Sequence, residues 1–503
     1  MKRMKRSKNK FLILIVLISI FILLVLNCFR KEVVFSIPDN LVYNYNLIVG
    51  VYVDEVLCSH DNNSDIYYSN INDIDGISFY SKYNNLKYRV FNIIDDLYEI
   101  YVYNDEYYYI LDLVISDVPI VNIHDLDISK YNNLSNDHFV DMFNDSEEDL
   151  KEKKMVGISI SNILQNNGNT SFSSYGYMTE RGASSSFFDK KSYKLKMNDR
   201  FGLQNIKDDN IWVLDALYTD SSKIRNKLSS DLWNLINDNQ RINNDLSCVF
   251  VEVFIDDEYV GLYTLKEKVD KSVTRNSDNG LLMKATMHLV DDRINKFLDN
   301  PNILYKGRIL NFEIKDYDSD TYDNFIDNMY SFYSGVRDYE SIFNTYYIDN
   351  YINYKIFVAL ISGEDNVTSN QYHSMVDEHS KILITPWDMD LTWGLYWNLD
   401  TPLHSEFLYE KDFEYSWLDN NITKNFDEKT FSLMKKRYWE LRKKIITVDT
   451  INNYLDSYEK LLIESNSTER DSKLWYEYDV EFEIERIREW AIRRIDFLDG
   501  YFK

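Results

Sequence analysis

Neither a G-x-G-x-x-G nor a G-x-x-x-x-G-K-[ST] segment occurs in this chain, so a nucleotide would have to be held by basic side chains rather than by a glycine cradle. The three cysteines, Cys28, Cys58 and Cys248, leave at most one pair outside the apolar N-terminal run, which excludes a disulfide-stapled scaffold. Histidine is scarce as well. Its seven copies are scattered, with no H-E-x-x-H and no C-x-x-C pair beside them, which argues against a zinc hydrolase. Positive charge is short too: 56 Lys and Arg against 82 Asp and Glu give −26, which repels phosphate backbones and sets aside a nucleic-acid partner. With 5 Pro and 14 Gly against 41 Tyr and 27 Phe, the composition reads as coding bias and carries no function. What remains is ample: 503 residues, 45% hydrophobic, enough for two or three domains with a sizeable core.

Residues Phe11 to Phe29 form an apolar run broken only by Ser19 and Asn27. As a helix it would cross about 28 Å of hydrocarbon. Lys2, Arg3, Lys5, Arg6, Lys8 and Lys10 precede it, so residues 1–10 are expected in the cytoplasm, 11–29 across the membrane, and the rest on the outer face. A cleaved signal peptide is the competing reading, but no small-residue A-x-A site follows, and Asn27 disfavours a lipoprotein site at Cys28. We expect an uncleaved single-pass anchor.

Residues 33–116 alternate at period two with turn chemistry between runs, predicting a small antiparallel β module without catalytic residues. Residues 117–503 read as a second, α+β domain. In the expected strand Ser192 to Met197, Lys194 and Lys196 share one face while Tyr193, Leu195 and Met197 share the other. With Arg181, Lys190 and Lys191 nearby this is the densest basic patch beyond the N-terminus, either an anion site or a solvated strand face. Helical periodicity is expected from Trp212 to Ile236, with Asp220 or Ser221 as N-cap. Cys248 to Lys268 reads as a hairpin turning at Asp256 and Asp257. Glu267 closes its second strand and Lys284 lies on the next, so they form the candidate strand lysine and supporting glutamate of a kinase. Helices are expected over 339–361, 429–444, 450–463 and 479–502.

The strongest argument for chemistry lies between Ile361 and Leu395. Asp365 and Asn370 have D-x-x-x-x-N spacing, and the short β-branched strand Ile382 to Ile384 delivers Asp388, with Asp390 two positions on. Phosphoryl transfer of the protein-kinase type needs an aspartate to take the hydroxyl proton, an amide oxygen on one metal ion and a second aspartate bridging metal to phosphate. An extended backbone would point Asp388 and Asp390 to one side, which suits a divalent cation. The bland alternative is a solvated acidic loop.

RGASSSFFDKKSYKLKM, WVLDALYTDSSKIRN, VFVEVFIDDEYVGLYTLKEKV, GEDNVTSNQY and ITPWDMDLTWG, in that order, resemble the CotH family of spore-coat and surface-associated kinases over roughly residues 117–500. The resemblance implies an atypical protein-kinase fold without the glycine loop, ATP with Mg²⁺ or Mn²⁺, and a protein substrate with Ser or Thr acceptors. It implies Asp365 as catalytic aspartate, Asn370 as a loop metal ligand and Asp388 as the main one, with Arg181, Lys194 and Lys284 toward phosphate. The family's N-G-x-Y hairpin turn is here Asp256, Asp257, Glu258, Tyr259, remote in sequence from the aspartates. A noncatalytic surface adhesin is the second reading. A glycoside-active carboxylate pair near Trp387, Trp393 and Trp397 is the third. The charge asymmetry about residue 11 predicts that protease added to intact cells removes the domain beyond residue 32; full protection would overturn that orientation.

Overall fold

Among the described residues, period-two alternation carries most of those before residue 286 into strands, and period-3.6 stripes carry most of the later ones into helices. A computed structural model describes residues 40–70, 74–94, 97–126, 153–161, 171–182, 184–202, 208–237, 246, 248–270, 279–302, 308–335, 338–396, 410–424 and 426–503. The expected membrane run 11–29 lies outside the described residues. Among those described, no helix is long and apolar enough to cross a membrane.

Between Val42 and Ile115 a six-stranded and a three-stranded sheet enclose a core that includes Leu47, Val51, Val53, Ile100, Val102, Leu111 and Leu113. The expectation of a purely antiparallel module needs correction. Val42–Tyr43 and Ile66–Ser69 both pair in parallel with Tyr107–Ile115. Parallel pairing needs a long crossover, and period-two alternation does not reveal it.

A closed barrel follows, formed by β1 (Ile120–Asp125), β2 (Lys153–Ser161), β3 (Ser171–Arg181), β4 (Ser192–Phe201), β5 (Asp209–Asp215), β6 (Cys248–Ile255) and β7 (Glu258–Glu267) in the order 1-2-3-4-5-7-6. The parallel pairing of β1 with β6, Ile120 opposite Glu252 through Ile123 opposite Ile255, closes it. Val121, Ile158, Leu195, Met197, Trp212, Val253 and Leu265 fill the interior. Lys194 therefore stands outside, as the alternation in β4 requires. The β6–β7 turn has Asp256 and Asp257 at φ 52° and 63°, a mirror-image turn without glycine. The Asp256 carboxylate offsets some of that strain by accepting from the Asp125 N–H at 2.7 Å.

Residues 212–215 were expected in a helix and are strand β5. Val213 packs on the helical core while Trp212 and Leu214 enter the barrel. A strand buried on both faces gives an unbroken apolar run that periodicity cannot tell from a helix. The helix starts at Arg225, and the Asp220 carboxylate accepts from the N–H groups of Ser222 (3.0 Å) and Arg225 (2.9 Å).

A five-stranded sheet of β8 (Leu281–Ala285), β9 (Arg308–Ile309), β10 (Phe312–Tyr317), β11 (Gln371–Met375) and β12 (Leu383–Pro386), in the order 9-10-8-11-12, lies beside the helices. These are α1 (Arg225–Asn237), α2 (Asp291–Asp299), α3 (Ser319–Ser334), α4 (Tyr339–Thr345), α5 (Ile348–Ile361), α6 (Tyr415–Asn421), α7 (Glu428–Arg442), α8 (Val448–Glu464), α9 (Ser467–Leu474) and α10 (Val480–Tyr501). Helix α5 is buried almost all round, and its Asn350 side chain bonds both backbone groups of Ile384, fixing β12 against it.

Glu252, fully buried on β6, joins the N-terminal module to α9. It accepts from the Ser116 hydroxyl (2.6 Å), the Tyr259 hydroxyl (3.0 Å) and both prongs of Arg470 (2.9 and 2.8 Å). Arg470→Met leaves that carboxylate without its cation and should destabilise by about 3–5 kcal/mol, whereas Arg470→Met with Glu252→Gln should recover part of the loss. Denaturant melts of the three proteins check this.

Candidate active site

The C-terminus of α5 sets the site. Ser362 takes the left-handed conformation, φ 50°, and ends the helix; Asp365 opens the 3₁₀ turn that follows, Asp365–Val367. Asn366 is buried. Its side-chain N–H₂ donates to the Asn370 carbonyl (3.0 Å) and the Trp387 carbonyl (2.8 Å), and its backbone carbonyl accepts from the Tyr354 hydroxyl (2.7 Å). Strands β11 and β12 pair with Gln371 opposite Pro386, and the Trp387 N–H donates to the Asn370 carbonyl at 2.9 Å. Asn370, before one strand, and Asp388, after the other, thus come to one end of the hairpin. Both have positive φ, 46° and 55°, a region that Asn and Asp enter more readily than other side chains and that collects at functional sites.

Asp365, Asn370, Asp388, Asp390, Arg181, Lys194 and Lys284 all line one cavity of about 650 Å³ between the barrel and the second sheet. Residues as far apart as 181 and 390 meet there. Asp390 accepts from the Thr219 hydroxyl at 3.2 Å, and burial, then the charges of Asp388 and Asp215, push its carboxyl up to about 8. Burial, then Arg181, lower the Lys284 ammonium to about 8 against the pull of Asp388.

Glu267 does not line this cavity. The carboxylates acting most strongly on Lys284 are Asp388 and Glu313. A close lysine–carboxylate pair on β7 and β5 is Lys266 with Asp215, at 2.5 Å. Burial alone would lower the Lys266 ammonium, but Asp215 and then Asp388 outweigh it and hold it above its ordinary value. Burial would raise Asp215, yet Lys266 and Arg181 bring it below its ordinary value. Lys266 is a neighbour of Glu267 in TLKEK, and period two puts adjacent strand residues on opposite faces. Pairing across to β5, with Val213 opposite Lys266, is what brings Lys266 to Asp215.

Trp387 is the hub of the basic wall. Its ring has Lys266 at 4.8 Å, Arg181 at 5.7 Å and Lys284 at 5.8 Å. Asn226 on α1 accepts from the Met389 N–H (2.8 Å) and donates to Asp215 (3.2 Å), tying the Asp388 loop to the ion pair. Behind the wall, the fully buried Asp471 receives Lys190 at 2.5 Å and lies 3.5 Å from Lys223. Burial lowers Lys190 to about 8, and Lys190 also lines the cavity. None of Lys266, Asp215, Asn226 or Asp471 stood out in the sequence, because each acts through a partner distant in the chain.

The sugar-binding reading is overturned where the structure describes its residues. Trp387 and Trp393 are 4% and 0% exposed and offer no stacking face, and Trp397 lies outside the described residues. A glycoside ring needs an accessible aromatic face, and the two indoles are instead packed in the helical core.

The donor set of Asp388, Asp390 and Asn370 is all oxygen, which fits a hard divalent ion such as Mg²⁺ or Mn²⁺ and not a soft one. A family model described as CotH kinase protein matches residues 179–498. No curated protein matches the chain.

The crowded carboxyls give a stability prediction. Because the Asp390 carboxyl rises from 3.8 to about 8 on folding, its stabilising contribution is complete below 3.8 and is lost as pH climbs toward 8. In a chelator, Asp388→Asn removes a neighbouring charge and should narrow that loss, raising Tm at pH 8 by roughly 2–5 °C over wild type. Thermal melts at pH 5 and 8 measure it; an unchanged difference would mean that the two carboxyls do not interact.

Proposed function

Because the chain belongs to the CotH kinase family, we propose that its cavity transfers the terminal phosphoryl group of ATP to a Ser or Thr hydroxyl of a protein. One observation carries this reading: Asp365, Asn370 and Asp388, spaced in the chain as a kinase spaces them, stand on one cavity with Arg181, Lys194 and Lys284. Asp365 takes the proton as the acceptor oxygen bonds to phosphorus and the bond to the leaving diphosphate breaks. Lys284, Arg181 and Lys194 hold the phosphates, and the Lys266–Asp215 pair keeps the basic wall in place. Asp388 and Asn370, with Asp390 beside them, are the residues to hold Mg²⁺ or Mn²⁺, which would supply positive charge against the phosphates.

The apolar run 11–29 and its basic flank support single-pass attachment, with this domain on the outer face of a membrane. The net charge of −26 supports a protein acceptor over nucleic acid. A surface-adhesion role finds support in the N-terminal module, where Tyr43, Tyr45 and Tyr80 are 50%, 71% and 62% exposed.

The two aspartates separate the steps. Asp365→Asn keeps shape and removes the proton acceptor, so ATP binding should stay near wild type while transfer falls about 10²-fold or more. Asp388→Asn should instead lose divalent-dependent ATP binding. Calorimetry and labelled γ-phosphate transfer, run side by side, test both. Wild-type transfer by Asp365→Asn would refute the assignment, and absence of transfer in the wild type would favour adhesion.

A further inference from the structure

His288 stands in no motif, yet its Nε2 lies 3.2 Å from Asp365 Oδ1. The contact is not a chance meeting of two loose side chains, because the backbone on either side of His288 is bonded to the loop that carries Asp365. The buried Asn311 donates through its side-chain amide to the Met287 carbonyl at 3.0 Å and to the Thr368 carbonyl at 2.5 Å. On the other side, the Leu289 N–H donates to the Thr368 hydroxyl at 3.1 Å. The Thr286 N–H in turn donates to the Asn311 carbonyl at 3.1 Å. Residues 286–289 and 365–368 are therefore bonded to one another around the pair, which brings the imidazole against the carboxylate. Half-exposed pairs left to themselves contribute little and hold no fixed geometry; this one is fixed by neutral bonds made around it.

We propose that His288 is a positioning residue for Asp365: its Nε2–H holds Oδ1 so that the other carboxylate oxygen takes the acceptor proton, and charging of the imidazole turns transfer down. This rests on the kinase reading above. An ionised carboxylate only accepts, so Nε2 carries the hydrogen in both the neutral and the charged ring. In the neutral ring the bond orients Asp365 without removing its basicity. In the charged ring it becomes an ion pair, which lowers that basicity and binds the carboxylate more firmly than an incoming hydroxyl can.

The charges facing His288 favour the second state at low pH. Its bond to Asp365 raises it above its ordinary 6.5, burial opposes this, and the charges of Asp365 and Glu364 add to the rise. On the α2 side, Asp291 and Asp292 open the helix, and Arg293 is directed to the Leu310 carbonyl and the Met287 sulfur. The sign follows: transfer should be low while the ring is charged and should rise with pH through a value above 6.5.

The test compares wild type, His288→Gln and His288→Ala. Glutamine retains an N–H donor and cannot titrate. Its acid limb of kcat should move to lower pH than in wild type, with a plateau within about tenfold of wild type. His288→Ala should lower kcat by roughly 10-fold or more with KM for ATP unchanged, as expected when only the orientation of the proton acceptor is lost. Identical acid limbs in wild type and His288→Gln would overturn the proposal. An independent readout needs no turnover: the NMR titration of the His288 ring should fall in Asp365→Asn, and an unmoved titration would overturn the pairing. Wild type that transfers nothing while the NMR shift is seen would refute the kinase reading and leave the pair standing.

Discussion

Three carboxylates, Asp365, Asp388 and Asp390, line one cavity, and the force that brings them there is not electrostatic. Like charges at close range in a poorly solvated site repel strongly. What opposes the repulsion is the side-chain amide of Asn366, which spans the carbonyls of Asn370 and Trp387 and so joins the Asp365 turn to both strand ends. Asn226 does the same one step away, between Met389 and Asp215. Neutral amides suit this task. They bind backbone firmly, are insensitive to pH, and leave the acids to act on whatever enters the cavity.

The cations are gathered by a different means. Arg181, Lys266 and Lys284 come from β3, β7 and β8 and surround one buried indole. The negative face of an aromatic ring offsets part of their repulsion, and Asp215 neutralises one of them. Burial, and then the charge of Arg181, lower the basicity of Lys284. The cavity thus carries carboxylates and cations on one lining, the combination that a polyphosphate bound through a divalent ion needs.

Much of this was legible. The spacing from Asp365 to Asn370 and the strand leading to Asp388 placed three acid or amide side chains that the β11–β12 hairpin brings together, and period two in β4 put Lys194 outside the barrel core. The rest lies in contacts that no local pattern encodes. Lys190 and Asp471 are 281 residues apart, and Lys266 and Asp215 are 51 apart. Glu267 was the residue read from the sequence, and only the register of β7 against β5, Val213 opposite Lys266, puts its neighbour Lys266 beside Asp215. The barrel was illegible for a similar reason, since its closure depends on a parallel pairing between strands separated by more than a hundred residues. His288 is invisible in sequence because its role comes from Asn311 and Thr368, which stitch two distant loops.

Helix α9 carries Arg470 and Asp471 side by side, one gripping the Glu252 junction with the N-terminal module and the other gripping two lysines behind the cavity. Two adjacent residues on a rigid helix cannot shift independently. Helix α9 is therefore the common anchor of two layers: the N-terminal module through Glu252 and the buried lysines behind the cavity through Asp471 meet on consecutive residues of one turn of backbone.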